Sequence, residues 1–346
     1  MKALLYEDWD KITLADKEKP EPVRGEILVR VEACGLCGSE LETFKTHSPR
    51  RTPPLVLGHE FAGRVEATGP DVSGFSIGQK VMVNSVISCG KCAPCRRGQT
   101  HLCRNRQVFG MNRPGAMAEF VIAPAEFVYP LPEDFSPVSG ALVEPLANAV
   151  HVIDLLPQER DPVLVLFGAG PIGLMILQAA RVLLGARVIA VDKKPKRLQY
   201  AKDAGAVRTV NPDEEDIAHI VESLTASEGA DISVDAVGTS GTKETSVDIL
   251  RPGGTALWIG LYNNEMKLES YKVVLKEKKI IGSYSASRDD FLRAADLMYT
   301  GQVSGENWVT TFAMNEAVDA FYRMLDGSED DCKAVVLPQE RKEQKA

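Results

Sequence analysis

A chain of 346 residues exceeds the roughly 250–300 at which a single hydrophobic core stops growing, so two domains are expected. With 44% hydrophobic and 25% charged residues, the composition is that of a folded globular protein and excludes a disordered or fibrous one. Forty basic against 48 acidic side chains leave a net charge of −8, the wrong sign for gripping phosphate backbones, so no nucleic-acid partner is expected.

The first residues, MKALLYEDWDKITLADKEKP, scatter charge where a signal peptide would need an apolar run, and no later stretch reaches the ~18 unbroken apolar residues of a membrane span. A cytoplasmic protein with no membrane partner is therefore expected. In that compartment the seven cysteines are reduced thiols, and clusters among them point to metal binding or catalysis rather than disulfides.

From Met1 to about Pro132 short apolar runs alternate with turn residues: EILVRVEACG, PLVLGHEFAGRVEATG, GQKVMVNSVISCG and AMAEFVIAP. This predicts an irregular β-rich domain with Gly and Pro corners. Within it, EACGLCGSE carries Cys34 and Cys37. Cys34 reads as a small buried side chain, whereas Cys37 sits among glycines that give a thiolate room for a ligand. His59 and Glu60 follow an apolar strand in LGHEFAG, and Glu144 lies in LVEPLANAVH, so thiolate, imidazole and carboxylate donors suited to zinc are all present. Taken singly, each of these residues also has an ordinary structural explanation.

Residues 89–103, CGKCAPCRRGQTHLC, place Cys89, Cys92, Cys95 and Cys103 close enough to complete a tetrahedral thiolate shell, the arrangement of structural zinc. Spacing alone leaves an iron–sulfur cluster open. A nucleic-acid zinc finger does not fit the acidic charge and the lack of a basic helix after the loop. His101 and His219 read as surface positions, and His151 as a packed one.

From about Val150 the rhythm changes to strand, helix, strand. Apolar runs at 163–168, 187–192, 208–210, 231–238, 255–260 and 278–285, most of them separated by helical patterns, predict a doubly wound parallel sheet. VLVLFGAGPIG sets Gly168, Gly170 and Gly173 in a G-x-G-x-x-G turn after a strand, with Pro171 and Ile172 opening the helix: a pyrophosphate cradle. The next strand ends at Asp192, 19 residues past Gly173, where an acid binds ribose hydroxyls and repels a 2′-phosphate. NAD is thus favoured over NADP, with Lys193, Lys194 and Arg197 close by to soften the preference; a plain strand-end turn residue is the other reading of Asp192. An amphipathic helix, DDFLRAADLMYTG, and a strand-like AVVLP follow, and this tail is expected to dock on the first domain. QERKEQKA is expected to fray at the end.

Together these motifs resemble the zinc-containing medium-chain dehydrogenase/reductase family over essentially the whole chain. CGLCGSE, GHEFAGRVEATG, the four-cysteine loop, VEPLANAVH and GAGPIG look most like its sorbitol, threonine and galactitol-phosphate dehydrogenase branch. The resemblance implies an α/β protein with a GroES-like catalytic domain, residues 1–149 and 287–346, an inserted NAD-binding Rossmann domain, residues 150–286, and an active cleft at their junction. It makes Cys37 and His59 ligands of a catalytic zinc, with Glu60 and Glu144 sharing the carboxylate role, and the four-cysteine loop the holder of a second zinc. Simple alcohol dehydrogenases carry a cysteine where Glu144 stands, which moves the expected substrate toward a polyol or sugar alcohol.

By the same resemblance Ser39 is the first proton-relay hydroxyl, Glu40 orients a ligand, and Arg197 joins the glycine turn and Asp192 in holding NAD. Most relatives carry histidine where this chain has Glu42, so Glu42 or His47 is left as the outer relay, or both are solvated surface residues. Arg50, Arg51 and Arg288 are candidates to receive a substrate phosphate or carboxylate, or are solvated charges. Alternatives are threonine or a simple secondary alcohol as substrate and, in another class, a nucleotide-binding relative without chemistry. A homo-oligomer, tetramer before dimer, joined partly through an edge of the Rossmann sheet, completes the expectation.

Overall fold

The strand Glu26–Gly35 is the hub of the first half of the molecule. Along it Val29 and Val31 turn inward while Arg30 and Glu32 face out, the period-two alternation of a half-buried strand. The computed structural model describes residues 1–327 and 331–339; of the stretch expected to fray, all but Gln339 lies outside them. Gln339 itself is anchored, donating to the carbonyls of Val31 and Glu119.

Two compact units divide the chain: Met1–Glu144 with Ser304–Ala346, and Pro145–Val303. The chain passes between them within the helix Pro137–Leu155. By length and apolarity alone this helix would pass as a membrane span, yet 61% of its apolar window is buried in protein.

In the first unit the main sheet runs Val128–Pro130, Lys80–Val83, Glu60–Thr68, Glu26–Gly35, Lys333–Leu337 and Val309–Ala313, with Phe120–Pro124 also on the hub strand. The pairing is antiparallel except between the last two strands. Register places Gly35 opposite both Glu60 and Val335, so two segments distant in the chain meet at one glycine. The helix Gly38–Thr46 follows directly. Cys37 is its extended N-cap, Glu40 closes a capping box on the Cys37 amide at 3.0 Å, and His47 ends it in the left-handed region, φ 50°.

In the second unit six parallel strands lie in the order Arg208–Val210, Arg187–Val191, Val163–Phe167, Ala230–Asp235, Leu250–Trp258, Lys279–Gly282. The order reverses between Val163–Phe167 and Ala230–Asp235, the switch point at which doubly wound sheets bind ligands. The fifth strand begins five residues earlier than its apolar run, because an irregularity after Ala230 lets Arg251–Gly254 extend it.

The unit boundary corrects one expectation. The helix Arg288–Tyr299 belongs with the second unit, and the chain joins the first from Ser304 onward, through the strands Val309–Ala313 and Lys333–Leu337 and the helix Ala317–Asp326, whose Phe321 packs on Phe44. Its anchors explain why: Asp290 bonds His151 at 2.9 Å, and Arg293 bonds Asp154 at 2.6 Å. Asp290 also accepts from the Ser287 amide at 2.7 Å as the return arm of a capping box. Burial works against the Asp290 charge, but His151 and Ser287 hold its pKa below the ordinary value. A depressed carboxylate contributes stability above its unfolded pKa and loses it as pH falls through the folded one. Asp290→Asn is therefore expected to cost about 1 kcal/mol at pH 7, with the difference from wild type shrinking as pH falls through the folded pKa of Asp290, as read by urea unfolding.

Candidate active site and metal centres

The sulfur of Cys37, a ring nitrogen of His59 and a carboxylate oxygen of Glu60 all lie within 4.8 Å of one another. Each comes from a different local device. Cys37 is presented by a helix start, His59 follows Gly58, whose φ of 100° turns the chain, and Glu60 opens the strand Glu60–Thr68. A Cβ on Gly58 would strike the Met117 amide and the Cys34 sulfur, so the turn admits no side chain. Cys34 is fully buried, and burial pushes its thiol well up.

Glu40 ties these devices together. Its Oε1 accepts from the Gly58 amide at 2.7 Å and faces His59 Nδ1 at 3.4 Å, while Oε2 holds the Cys37 amide. Burial alone would raise this carboxyl, but His59, Arg51 and the Cys37 amide hold it at about 2. Burial likewise opposes charge on His59, and Cys37 and Glu40 overcome it, raising the imidazole pKa well above its usual value. The anionic surroundings thus favour positive charge at the centre of the cluster. One thiolate, one imidazole and one carboxylate form the donor set zinc prefers, with a position left for substrate.

Glu144 is placed apart from that set. Its Oε1 accepts from Ser85 Oγ at 3.2 Å; burial pushes the carboxyl up, His59 opposes this and Glu60 adds to it. The two glutamates therefore feel each other's charge, but only Glu60 has an oxygen within the cluster.

Sequence reasoning missed Lys333. This lysine, 2% exposed, forms an ion pair with Glu60 Oε2 and donates to the Leu36 carbonyl at 2.8 Å. Burial lowers its pKa, and Glu60 and Cys37 more than reverse that. A Cβ on Gly35 would overlap the Glu60 carboxylate, so the glycine makes room for the pair. The available signal was a lysine heading the otherwise apolar run KAVVL.

Arg51 is neither a substrate receptor nor a solvated charge. It is 1% exposed and its guanidinium is engaged by Gly110, Ser39 and Thr43. Arg50 instead pairs with Glu42, His47 faces Asp10 at 2.8 Å, and Arg288 is exposed. His219 is exposed, whereas His101, expected at the surface, is buried, because the short turn Thr100–Leu102 folds back between Cys95 and Cys103.

Cys89, Cys92, Cys95 and Cys103 also converge within 4.8 Å, with Cys92–Cys95 and Cys92–Cys103 sulfurs 3.4 and 3.8 Å apart. A regular tetrahedron at a Zn–S distance of about 2.3 Å has sulfurs about 3.8 Å apart, and a disulfide would need about 2 Å. Backbone amides of Lys91 and Cys92 lower Cys89 to about 6, while burial and the neighbouring sulfurs raise Cys95 to about 11. Four thiolates cannot all be charged this close together without a cation, which a divalent metal held by the four sulfurs would supply.

In the second unit Gly168 adopts φ 94°, and a Cβ on Gly173 would overlap the Gly168 carbonyl, so the turn depends on both glycines. A Cβ on Gly170 would meet nothing closer than Arg197 Nη1 at 3.7 Å, leaving the backbone open to a ligand. Gly170 caps the helix Pro171–Leu184 without a side-chain bond; Pro171 has no N–H, so Ile172 and Gly173 present the first amides. Asp192 accepts from the amides of Ala169 at 2.8 Å and Lys194 at 2.9 Å and lies 3.8 Å from Arg197. It therefore braces the turn and keeps one further lone pair per oxygen for a ribose. Lys193 turns away to Asp213.

The family comparison agrees with this geometry. Residues 23–133 match the alcohol dehydrogenase GroES-like domain and residues 171–300 the zinc-binding dehydrogenase domain. L-Threonine 3-dehydrogenase of Shewanella putrefaciens is 33% identical over 306 residues, 87% of this chain and 89% of that one. The chain belongs to the zinc-containing medium-chain dehydrogenase/reductase family. Among solved members of the family, a zinc-binding dehydrogenase from Sinorhizobium meliloti, bound to NADP, superposes with a TM-score of 0.90 at 30% identity, covering 97% of this chain and 99% of that one. Galactitol-1-phosphate dehydrogenase from Escherichia coli gives 0.89 at 26% identity, covering 98% and 100%. The fold is accordingly a GroES-like domain with a Rossmann-like one, as these dehydrogenases have it.

Proposed function

We propose that this dehydrogenase oxidises a secondary alcohol, a polyol or sugar alcohol, passing hydride to NAD, with two zinc ions per chain. The observation that carries the reading is the convergence of Cys37, His59 and Glu60, with Ser39 Oγ 3.3 Å from the Cys37 sulfur. When bound, zinc polarises the substrate hydroxyl and the nicotinamide accepts hydride. Cys37, His59 and Glu60 would hold the metal, Glu40 fixes the His59 ring, and the half-buried Ser39 would take the hydroxyl proton while releasing its own to water. Glu144, near enough to Glu60 to shift with its charge, is the second carboxylate available to the metal. Cys89, Cys92, Cys95 and Cys103 hold the other zinc and knot their loop.

Gly168, Gly170, Ile172 and Gly173 cradle the pyrophosphate, Asp192 binds the adenosine ribose, and Arg197 flanks it. A carboxylate at Asp192 favours NAD, because a 2′-phosphate would meet like charge. A second reading, a β-hydroxy amino acid of the threonine type, is favoured by the 33% identity to L-threonine 3-dehydrogenase. Both substrates are secondary alcohols with a polar neighbour.

Seven free cysteines fit a cytoplasmic protein. The outer edge of the strand Lys279–Gly282 is unpaired among the described residues, and Tyr262, Tyr271, Val274 and Leu275 are each at least 67% exposed in this unit. Such an edge suits a second copy of the chain, and a homotetramer is the assembly we assign, to be checked by light scattering. The function is tested by following NAD and NADP reduction with polyols, sugar phosphates, simple alcohols and threonine. A polyol turned over with NAD is the expected result. Asp192→Ala is expected to shift the NAD-to-NADP ratio of kcat/KM roughly tenfold toward NADP; an unchanged ratio removes Asp192 from cofactor choice.

A further inference from the structure

Arg51 has no place in the chemistry described so far, yet it is among the largest fully buried side chains of the molecule. A buried guanidinium is costly unless its donors are matched. Nε donates to the Gly110 carbonyl at 2.9 Å, one terminal nitrogen donates to the Ser39 carbonyl at 3.0 Å and Thr43 Oγ1 at 3.1 Å, and the other donates to Ser39 Oγ at 3.0 Å.

The direction of these bonds is set by chemistry. A guanidinium donates and never accepts, so Ser39 Oγ must be the acceptor in its contact with Arg51. The single hydroxyl proton is then directed to the other neighbour, the Cys37 sulfur at 3.3 Å. Thr43 is fixed the same way: it accepts from Arg51 and donates to the Ser39 carbonyl at 2.9 Å. A one-way chain of donors results, from Arg51 through Ser39 to the metal ligand. A serine hydroxyl otherwise rotates freely among partners, and proton transfer depends on its being aimed.

We propose that Arg51 is a positioning residue that holds the Ser39 oxygen and aims its hydroxyl into the metal site, an inference that rests on reading Ser39 as the relay hydroxyl. With Glu42 paired to Arg50 and His47 to Asp10, neither outer-relay candidate is joined to Ser39 by a hydrogen bond among the described residues. Arg51 supplies the constraint from the opposite side, and because it accepts no proton it orients the relay without lengthening it.

The test is a cycle of Ser39→Ala, Arg51→Lys and the double variant in the zinc-loaded enzyme, with cadmium NMR of each after metal exchange. Arg51→Lys is expected to lower kcat roughly tenfold with the KM for NAD changed less than twofold, and to cost less than a further twofold in the Ser39→Ala background. The cadmium resonance of the Cys37 site is expected to move in both single variants, since each alters the hydrogen bond to the sulfur, while that of the four-cysteine site stays in place. Wild-type kcat and an unmoved resonance in Arg51→Lys, beside a slow Ser39→Ala, would overturn the inference and leave the relay standing. Full activity in Ser39→Ala would remove the relay, and the inference with it. Should Arg51→Lys fail to fold, Thr43→Val takes its place: it frees one guanidinium hydrogen and is expected to lower kcat two- to threefold without affecting the Ser39→Ala background, and additivity there would overturn the proposal.

Discussion

Replacing His59 with alanine is expected to remove one zinc from each chain and to lower kcat by roughly three decades. Lewis-acid polarisation of a reacting oxygen is worth several kcal/mol, at about 1.4 kcal/mol per decade. The local fold has reason to survive, because Glu40 keeps the Cys37 and Gly58 amides at 3.0 and 2.7 Å without the imidazole. The four cysteines share none of these bonds, so the second zinc should stay in place. Mass spectrometry of metal content beside steady-state kinetics reads both effects. An unchanged zinc count, or a kcat within tenfold of wild type, would show that this cluster is not the catalytic centre.

Lys333→Met is expected to destabilise the first unit strongly. Breaking a buried ion pair by removing one partner leaves an uncompensated charge and costs about 3–5 kcal/mol. Glu60 is 2% exposed and has Glu144 and Cys37 among its neighbours, so methionine would leave negative groups to repel one another. Zinc brings positive charge to the same cluster, so the cost should be larger after chelation than in loaded protein. Urea unfolding with and without chelator measures the difference. Adding Glu60→Gln should recover part of the loss, since it removes the stranded carboxylate, and a double variant no better than Lys333→Met would refute the pairing argument.

Much of the site was legible because it is written in short motifs. A glycine turn after a strand, an acid at the end of the next strand and four cysteines within fifteen residues each state a local geometry. Gly168 at φ 94° and the crowding of Gly173 against Gly168 are backbone requirements that any such turn imposes. The six strands of the second unit overlap the six apolar runs, and for the inner strands Val163–Phe167, Arg187–Val191 and Ala230–Asp235 the reason is related: strands buried on both faces are continuous apolar stretches. Asp192 shows the limit of this kind of reading. Its spacing pointed to a ribose, and the same carboxylate also braces the Ala169 amide, a role no spacing states.

The amino-acid sequence by itself determined the parallel sheet and the ligand types, since periodicity, turn chemistry and donor chemistry act over a few residues. The tertiary structure decided which side chains meet. Gly35 brings Glu60 and the strand of Lys333 together through sheet register, and Lys333 reaches the Leu36 carbonyl across 297 residues of chain. Arg51 looked like a surface charge until its acceptors surrounded it, and the helix Arg288–Tyr299 looked bound for the first unit until His151 and Asp154 claimed it. Pairing between distant segments depends on register and packing free energies summed over whole sheets, which no window of local residues contains.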